Sequence, residues 1–391
     1  MDKAETAFTG FTDFLFFWLL ASGFWLLNSG FCFMPRPAWL LPTPARRDEP
    51  RSDAGLRALL LRLMRGEDLE RAEAAALLDA LLDGEATDAQ IAAALVALAV
   101  KGETVEELAG MASAMRARAV RIKARHECFI DTAGTGSSYA KTFNVSTAAA
   151  FVIAGAGLPV AKHGSRAATS RSGSADVLTA LGVGVTSKPE ISEGCLNEIG
   201  ICFMFAPLYH TAAARVASVR RELGVHTTFN LLGPLTNPAG APRQIIGVWH
   251  QALVEPLARV LVTLGTEHAW VVHGSDGLDE VTLTGETFVA EAHQGRVKTF
   301  EVAPEDFGLE RAQLSHLRGG DAEANAQTIR AVLQGKRRDE ARELVVVNAA
   351  AALFVGGSAS NLHSAARLAE ESLDSGAALG KLERLVEATN K

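Results

Sequence analysis

Cysteine is scarce in this chain. The four residues Cys32, Cys128, Cys195 and Cys202, among 391, show no CxxC spacing. A disulfide scaffold is not expected in so long a chain, and a reducing compartment is the simpler assumption. Cys195 and Cys202 lie seven apart, which suits two buried thiols on one helix better than a metal site. An excess of positive charge is also missing. The formal net charge is −7, which speaks against nucleic acid as the main partner, although a local basic patch stays compatible with it. Internal repeats and long low-complexity tracts are absent, as are the P-loop pattern GxxxxGK[ST] and the dinucleotide fingerprint GxGxxG. What remains is a chain with 48% apolar residues and 35 glycines, long enough for two domains and composed like an α/β protein.

The N-terminus stands apart. Phe14 to Phe33 carries no charge and is long enough to cross a bilayer. Arg36, Arg46 and Arg47 follow it, while Asp2, Glu5 and Asp13 precede it, so a spanning segment would leave the remainder in the cytoplasm. A secretory signal fits less well, because no net positive charge precedes the run. Initiation at Met34 is the other reading, and both stay open. Pro35, Pro37, Pro42, Pro44 and Pro50 mark a linker. Residues 1–52 therefore form an extension outside the fold.

From Gly55 to about Val120 the pattern is helical. Thr87 with Gln90 and Thr104 with Glu107 read as capping boxes, and Gly84 and Gly102 as stops. Val105, Leu108, Ala112, Met115 and Ala119 recur at helical steps. The basic run Arg116 to Arg125 reads as a solvated helix end. Beyond Glu127 short strands alternate with helices: "CFID", "LPVAKHG", "QIIGVW", "AWVVHG", "EVTL" and "TFVAEA" as strands, with helices at "SGSADVLTALG" (capped by Ser174) and about Leu253–Leu264. Such alternation predicts a mostly parallel sheet covered on both faces. Pro189 to Leu223 reads as helical without a strand signal.

Two stretches carry chemistry. In "AGTGSSYAKTFNVSTAAA", Gly134 and Gly136 permit close backbone approach, and Asn144, Ser146 and Thr147 open a helix, the layout of an anion loop. In "AKHGSRAATSRSGSADVL", a strand delivers Lys162 and His163 to a glycine bend, followed by Arg166, Ser170, Arg171 and the Ser174 cap. These cations and a helix start make a second anion site about thirty residues on. Open α/β sheets bind ligands beyond the carboxyl ends of their strands. "HGSDGLDEVTL" then places Asp279 and Glu280 after a strand and a glycine turn. With phosphates nearby, magnesium is the natural guest of such a pair.

Together "TFNVSTAAA", "AKHG", "SGSADVLTALG", "FAPLYH", "VRRELG", "TTFNLLGPLTNPAG", "HGSDGLDEVTLTG" and "GGDAEANA" resemble the anthranilate phosphoribosyltransferase family, collinearly from about Gly55 to the C-terminus. The resemblance implies an α/β fold: a small helical domain, residues 53–125 joined by roughly 189–223, hinged to a larger α/β domain, residues 126–391, with a mostly parallel central sheet. It implies a homodimer and no nucleic-acid partner. It implies transfer of phosphoribosyl from phosphoribosyl pyrophosphate (PRPP) to the amine of anthranilate, with Mg2+, in tryptophan biosynthesis, by a cytoplasmic catalytic domain. A membrane enters only if residues 14–33 are an anchor.

By the same resemblance the glycine loop cradles pyrophosphate through Gly134, Ser137, Ser138, Thr142 and Asn144, continuing into Val145, Ser146 and Thr147. Lys162, His163, Gly164, Ser165 and Arg166 grip the phosphoribosyl part. Ala167, Ala168, Thr169 and Ser170 continue that loop, with Ser174 behind it. Ser146, Asp279 and Glu280 correspond to metal ligands. Gly134, Ser165 and Arg220 correspond to anthranilate contacts, and Lys162 and Arg220 carry the catalytic roles.

Three positions depart from the family pattern. Ser137-Ser138 stand where Gly-Asp is usual, Ser165 replaces an asparagine, and His226 replaces a common arginine. They leave two further readings open: a paralogue that uses another aromatic acid or amine, or an inactive nucleic-acid-binding relative.

Overall fold

The computed structural model describes residues 51–136, 142–167 and 172–391. The apolar run Phe14–Phe33 and the proline-rich linker lie outside the described residues. So do Ser137, Ser138, Ala168, Thr169, Ser170 and Arg171. Among the described residues no helix is long and apolar enough to cross a membrane.

Among the described residues four helices come first: α1 (Arg51–Met64), α2 (Arg71–Leu82), α3 (Asp88–Lys101) and α4 (Val105–Arg118). Both expected capping boxes form. Gln90 N donates to Thr87 Oγ1 at 3.2 Å while Thr87 N donates to Gln90 Oε1 at 2.7 Å. Thr104 and Glu107 repeat the exchange at the start of α4. Glu107 is fully buried, and its carboxylate also accepts from Leu69 N and Lys101 Nζ, each at 2.9 Å. A buried charge so matched holds α3, α4 and the α1–α2 connection in one arrangement. The basic run is largely spent on internal partners: Arg116 donates to Leu235 O at 2.7 Å, and Arg118 pairs with Asp79 and Asp83. Gly110 lets α4 lie against the start of α2, since a Cβ there would stand 2.1 Å from Arg71 O. Gly110→Ala is therefore expected to destabilise the chain by about 1–3 kcal/mol, read as a lower urea midpoint at unchanged m-value.

The α/β part runs β1 (Ile130–Gly134), α5 (Val145–Gly155), β2 (Val160–Gly164), α6 (Ser174–Ala180), α7 (Pro189–Ile199) and β3 (Ile201–Phe205). Next come α8 (Ala206–Tyr209), α9 (Ala214–Leu223), α10 (Thr228–Leu235), β4 (Arg243–Gly247) and α11 (Val254–Thr263). Strands β5 (His268–Gly274), β6 (Thr287–His293) and β7 (Arg296–Val302) follow. Helices α12 (Ala322–Leu333), α13 (Glu340–Val355), α14 (Leu362–Asp374) and α15 (Ala377–Thr389) close the chain. One sheet results, in the order β3-β2-β1-β4-β5-β6-β7. Its first five strands are parallel, and β6 and β7 join antiparallel.

Alternation along the strands divides the interior. Ile245, Trp270, Val272 and Val289 pack on the face covered by α5 and α13. Their neighbours Ile246, Val271 and Ala290 pack on the other face, with α11 and the N-terminal helices.

Four expectations are corrected. Ile201–Phe205 is a strand inside the segment read as helical throughout, because a strand buried on both faces is a plain apolar run without alternation. Cys195 and Cys202 are both buried, but one sits on α7 and the other on β3. Helix α7 and β3 pack in the sheet's main cluster, and within 189–223 it is α9, through Val216 and Val219, that meets the helical module. "EVTL" is not a strand. Its backbone at Val281 is bonded in both directions by the Asn348 side chain (3.0 and 2.9 Å), which replaces a neighbouring strand.

Candidate active site

A cavity of about 490 Å3 opens beyond the carboxyl ends of β1 and β2. It is bounded by the glycine loop, the Lys162–Ala167 segment, the acid pair, and the helices α9 and α10. Lys162, in a strand buried on both sides, sends its ammonium up into this space. Its Nζ donates to Thr132 O and lies 3.3 Å from Thr132 Oγ1 and 3.4 Å from Ser146 Oγ. Asp131, fully buried below, accepts from His163 N at 3.1 Å and Asn237 Nδ2 at 2.7 Å. Burial pushes the Asp131 carboxyl up to about 6 and the Lys162 ammonium down to about 8, each opposed by the attraction between them. Asp131 and Asn237 thus seat the lysine. Neither was singled out from sequence, although "TNP" contains Asn237.

His163 contributes no charge to the anion loop, contrary to a reading of this loop as a row of cations. Burial holds its imidazole down at about 3, and its ring meets His210 edge-on at 5.2 Å. Both rings line the cavity, and His163 Nε2 and both nitrogens of His210 are buried without a partner.

Asp279 and Glu280 stand in the turn after β5. That turn lies directly on the end of β4, where a Cβ on Gly247 would fall 1.6 Å from Asp279 O. Gly134 lies beside the same turn, where a Cβ would make only an ordinary contact with Asp279 Oδ2 at 3.4 Å. Glu280 Oε1 accepts from Ser146 N at 3.3 Å, whereas Oε2 is buried without a partner. Burial first, and then the Asp279 charge, push the Glu280 carboxyl well above the usual carboxylate range. An orphaned carboxylate oxygen beside a second carboxylate and the Ser146 hydroxyl is a hard-oxygen donor set. It fits Mg2+, which favours one or two carboxylates plus substrate oxygens.

At the start of α5, Asn144 does not cap the helix with its side chain. Instead its Oδ1 accepts from Ser172 Oγ at 3.0 Å and from Asn325 Nδ2 at 3.1 Å. The Thr147 hydroxyl is buried without a partner and Val145 is buried. Thr142 bridges in antiparallel fashion to Arg318. Asn325, 3% exposed, also donates to Ser172 Oγ at 2.9 Å and accepts from Gly320 N at 2.7 Å. One buried amide on α12 therefore ties the two loops together, a role no local sequence signal announces.

The second loop departs from expectation at its helix. Gly173, not Ser174, is the cap of α6, and Asp176 in its first turn reaches back to accept from Gly173 N and from Ala167 N in the loop before it, at 2.9 Å each. The same carboxylate pairs with Arg166 at 2.9 Å, while Arg166 stays half exposed at the edge of the cavity. Gly164 is required by closeness, because its Cβ would meet Ser174 Oγ at 2.2 Å. Ser165, exposed, accepts from Ala175 N through its carbonyl at 3.2 Å, which leaves its side chain to the cavity it lines.

The opposite wall is different in kind. Ala213 just ahead of α9, Ala214 and Ala217 on it, Met115 and Pro207 make it apolar, with Arg220 among them. The Arg220 guanidinium stands 5.4 Å over the Phe229 ring and donates to Asn230 Oδ1 at 3.3 Å, while its Nε is buried without a partner. Burial lowers its pKa from the usual value. A planar guanidinium short of one partner, in an apolar wall, suits a flat carboxylate-bearing ring. His226 is not part of this wall; it lies exposed against Trp249, ring centroids 4.7 Å apart.

The described chain matches two family models in tandem. "Glycosyl transferase family, helical bundle domain" covers residues 57–119, and "Glycosyl transferase family, a/b domain" covers residues 126–379. These define the class. The anthranilate phosphoribosyltransferase of Moorella thermoacetica is 52% identical over 331 residues, 85% of this chain and 97% of the relative. That of Anaeromyxobacter dehalogenans is 53% identical over 330 residues, 84% and 97%. Among solved structures, the Thermus thermophilus anthranilate phosphoribosyltransferase superposes with a TM-score of 0.80 at 41% identity, covering 85% of this chain and 99% of that one. The Saccharomyces cerevisiae protein, in complex with PRPP and Mg, gives 0.79 at 28%, covering 86% and 98%. The chain belongs to the anthranilate phosphoribosyltransferase family.

Proposed function

We propose that this chain transfers the phosphoribosyl group of PRPP to the amine of anthranilate, giving N-(5-phosphoribosyl)anthranilate and pyrophosphate in tryptophan biosynthesis. One observation carries the reading: a single cavity has the acid pair, Lys162 and the start of α5 on one side and the buried Arg220 in an apolar wall on the other. Asp279, Glu280 and the Ser146 hydroxyl would hold Mg2+, which when bound neutralises charge on the departing diphosphate. Lys162, fixed over Asp131, presents its ammonium where negative charge develops as the ribose carbon becomes oxocarbenium-like. Arg220 takes the anthranilate carboxylate, so the neutral amine is aimed rather than activated. Gly134, Thr142, Asn144, Ser146 and Thr147 receive the diphosphate, and the segment from Lys162 through Ser174 receives the phosphoribosyl part.

A homodimer and a cytoplasmic catalytic domain belong to the same reading. Val96 and Val100, 42% and 83% exposed one turn apart on α3, offer apolar surface for a second copy, which light scattering tests.

The assay is loss of anthranilate fluorescence with PRPP and Mg2+, using the full chain and a chain begun at Met34. Turnover establishes that Ser137, Ser138 and Ser165 are tolerated within this chemistry. Donor binding by calorimetry without turnover would show instead that the acceptor differs, and a panel of aromatic acids and amines would identify it. Asn325→Ala leaves Asn144 and Ser172 short of a buried donor, a loss of about 1–3 kcal/mol. Its expected result is a rise in the KM for PRPP of about tenfold, with the KM for anthranilate little changed.

A further inference from the structure

At the end of the sheet opposite the cavity, His268 opens β5 and His293 closes β6. The antiparallel register sets these two histidines directly opposite each other and Trp270 opposite Glu291. Alternation puts all four side chains on one face. The turn that follows joins β6 to β7 and sets the register of that hairpin, in which Arg296 stands opposite His293. Gln294 and Gly295 have φ of 50° and 73°, the two positive values that a tight two-residue hairpin turn of type I′ demands. The imidazoles stack with centroids 4.2 Å apart and planes 19° from parallel. His268 Nε2 lies 2.8 Å from Glu291 Oε1, and the Trp270 indole N–H donates to the same oxygen at 3.1 Å. Donor atoms from His268, Glu291 and His293 all fall within 4.8 Å of one another. His268 is buried and His293 exposed, so the cluster opens to solvent on one side.

We infer that His268, Glu291 and His293 form a binding site for a borderline divalent cation, Zn2+ above all, that is separate from the acid pair of the cavity. Two imidazole nitrogens and one carboxylate oxygen are a donor set that Zn2+ accepts, with ligand distances of about 2.0–2.2 Å and water at the fourth position. Side-chain rotation alone would draw the three donor atoms to the roughly 3.4 Å mutual spacing of a tetrahedral site. The Trp270 N–H already orients the carboxylate, as groups behind a metal ligand do.

The neighbouring charges select the type of ion. Arg243 stands opposite His268 on β4, although its guanidinium is directed to Val355 O and Glu267. Arg296 is opposite His293, and Lys298 opposite Glu291, on β7. These cations disfavour an ion held by charge alone, such as Ca2+ or Mg2+, and favour one that gains chiefly from imidazole lone pairs. The bound ion would clip β5 to the β6–β7 hairpin, the antiparallel end of the sheet, and act on stability rather than on turnover.

The test uses the untagged full chain, stripped with a chelator and titrated with Co2+ and then Zn2+. Expected are the visible d–d absorption of a low-coordinate Co2+ site, its displacement by Zn2+, and a rise in melting temperature with Zn2+. His293→Ala, at an exposed position that does not threaten the fold, is expected to remove the absorption and weaken Zn2+ binding about tenfold or more, with Mg2+-supported turnover unchanged. The Asp279→Asn, Glu280→Gln double variant is expected to keep both signals. The inference is overturned if the parent gives neither signal, if His293→Ala binds like the parent, or if the signals vanish with the acid pair instead.

Discussion

Glu280→Gln is expected to remove turnover by about 10²–10³ in kcat/KM while leaving the chain as stable as the parent, or more so. The two halves of that result have one cause. In the absence of a cation, the Glu280 carboxylate is buried beside Asp279, with one oxygen bonded to Ser146 N and the other bonded to nothing. An unpaired buried charge opposes folding. Glutamine keeps the shape and the Ser146 contact, and removes the charge. What it cannot do is balance a cation on the diphosphate. A thermal melt with and without Mg2+ separates the two effects: Mg2+ should raise the parent's melting temperature and leave the variant's unmoved. A parent indifferent to Mg2+ and a fully active Glu280→Gln would together remove the acid pair from the proposed mechanism. Strain at the site for the sake of function is a familiar trade.

Much of this fold is legible along the chain because local signals agree with tertiary need. Thr87 and Thr104 start helices in the structure as their spacing to Gln90 and Glu107 predicts, and Gly84 and Gly102 end them. The parallel strands were legible wherever turn residues bracket a short apolar run. "ICFMF" was not, because it follows α7 after Gly200 alone, and its composition suits helix or strand equally. "EVTL" misled in the other direction: its alternation is real, but its partner is the Asn348 amide, 67 residues on.

The site divides in the same way. Residues whose chemistry is carried by type and neighbours, such as Lys162, Asp279 and Glu280, could be named in advance. Residues that act by position could not. Asn237 and Asn325 are ordinary asparagines until the chain folds Asn237 under Asp131 and Asn325 between Asn144 and Ser172. Gly247 looks like any strand glycine until the acid-bearing turn is laid across it. Arg166 combines the two. Its charge is legible in sequence, whereas its pairing with Asp176, ten residues later, is not.

Arg220→Ala is expected to raise the KM for anthranilate by about 10–100-fold, the worth of roughly 1.5–3 kcal/mol for a buried charge-assisted pair, with the KM for PRPP nearly unchanged. The wall should survive the change. Asn230 keeps its bond from Thr227 N at 3.0 Å, so the start of α10 is not left without its cap, and the shortened side chain adds volume to an existing cavity rather than to the core. Arg220→Lys should rescue little, because an ammonium supplies one point of charge where two parallel N–H donors meet a planar carboxylate. A drop in kcat at constant KM would instead place the guanidinium's contribution in the transition state. An Arg220→Ala enzyme with parental constants would mean that the acceptor's acid group is not bound here. Ser165, the acceptor-side residue that departs from the family pattern, would then become the first place to look for a different aromatic acid or amine, because it lines the same cavity.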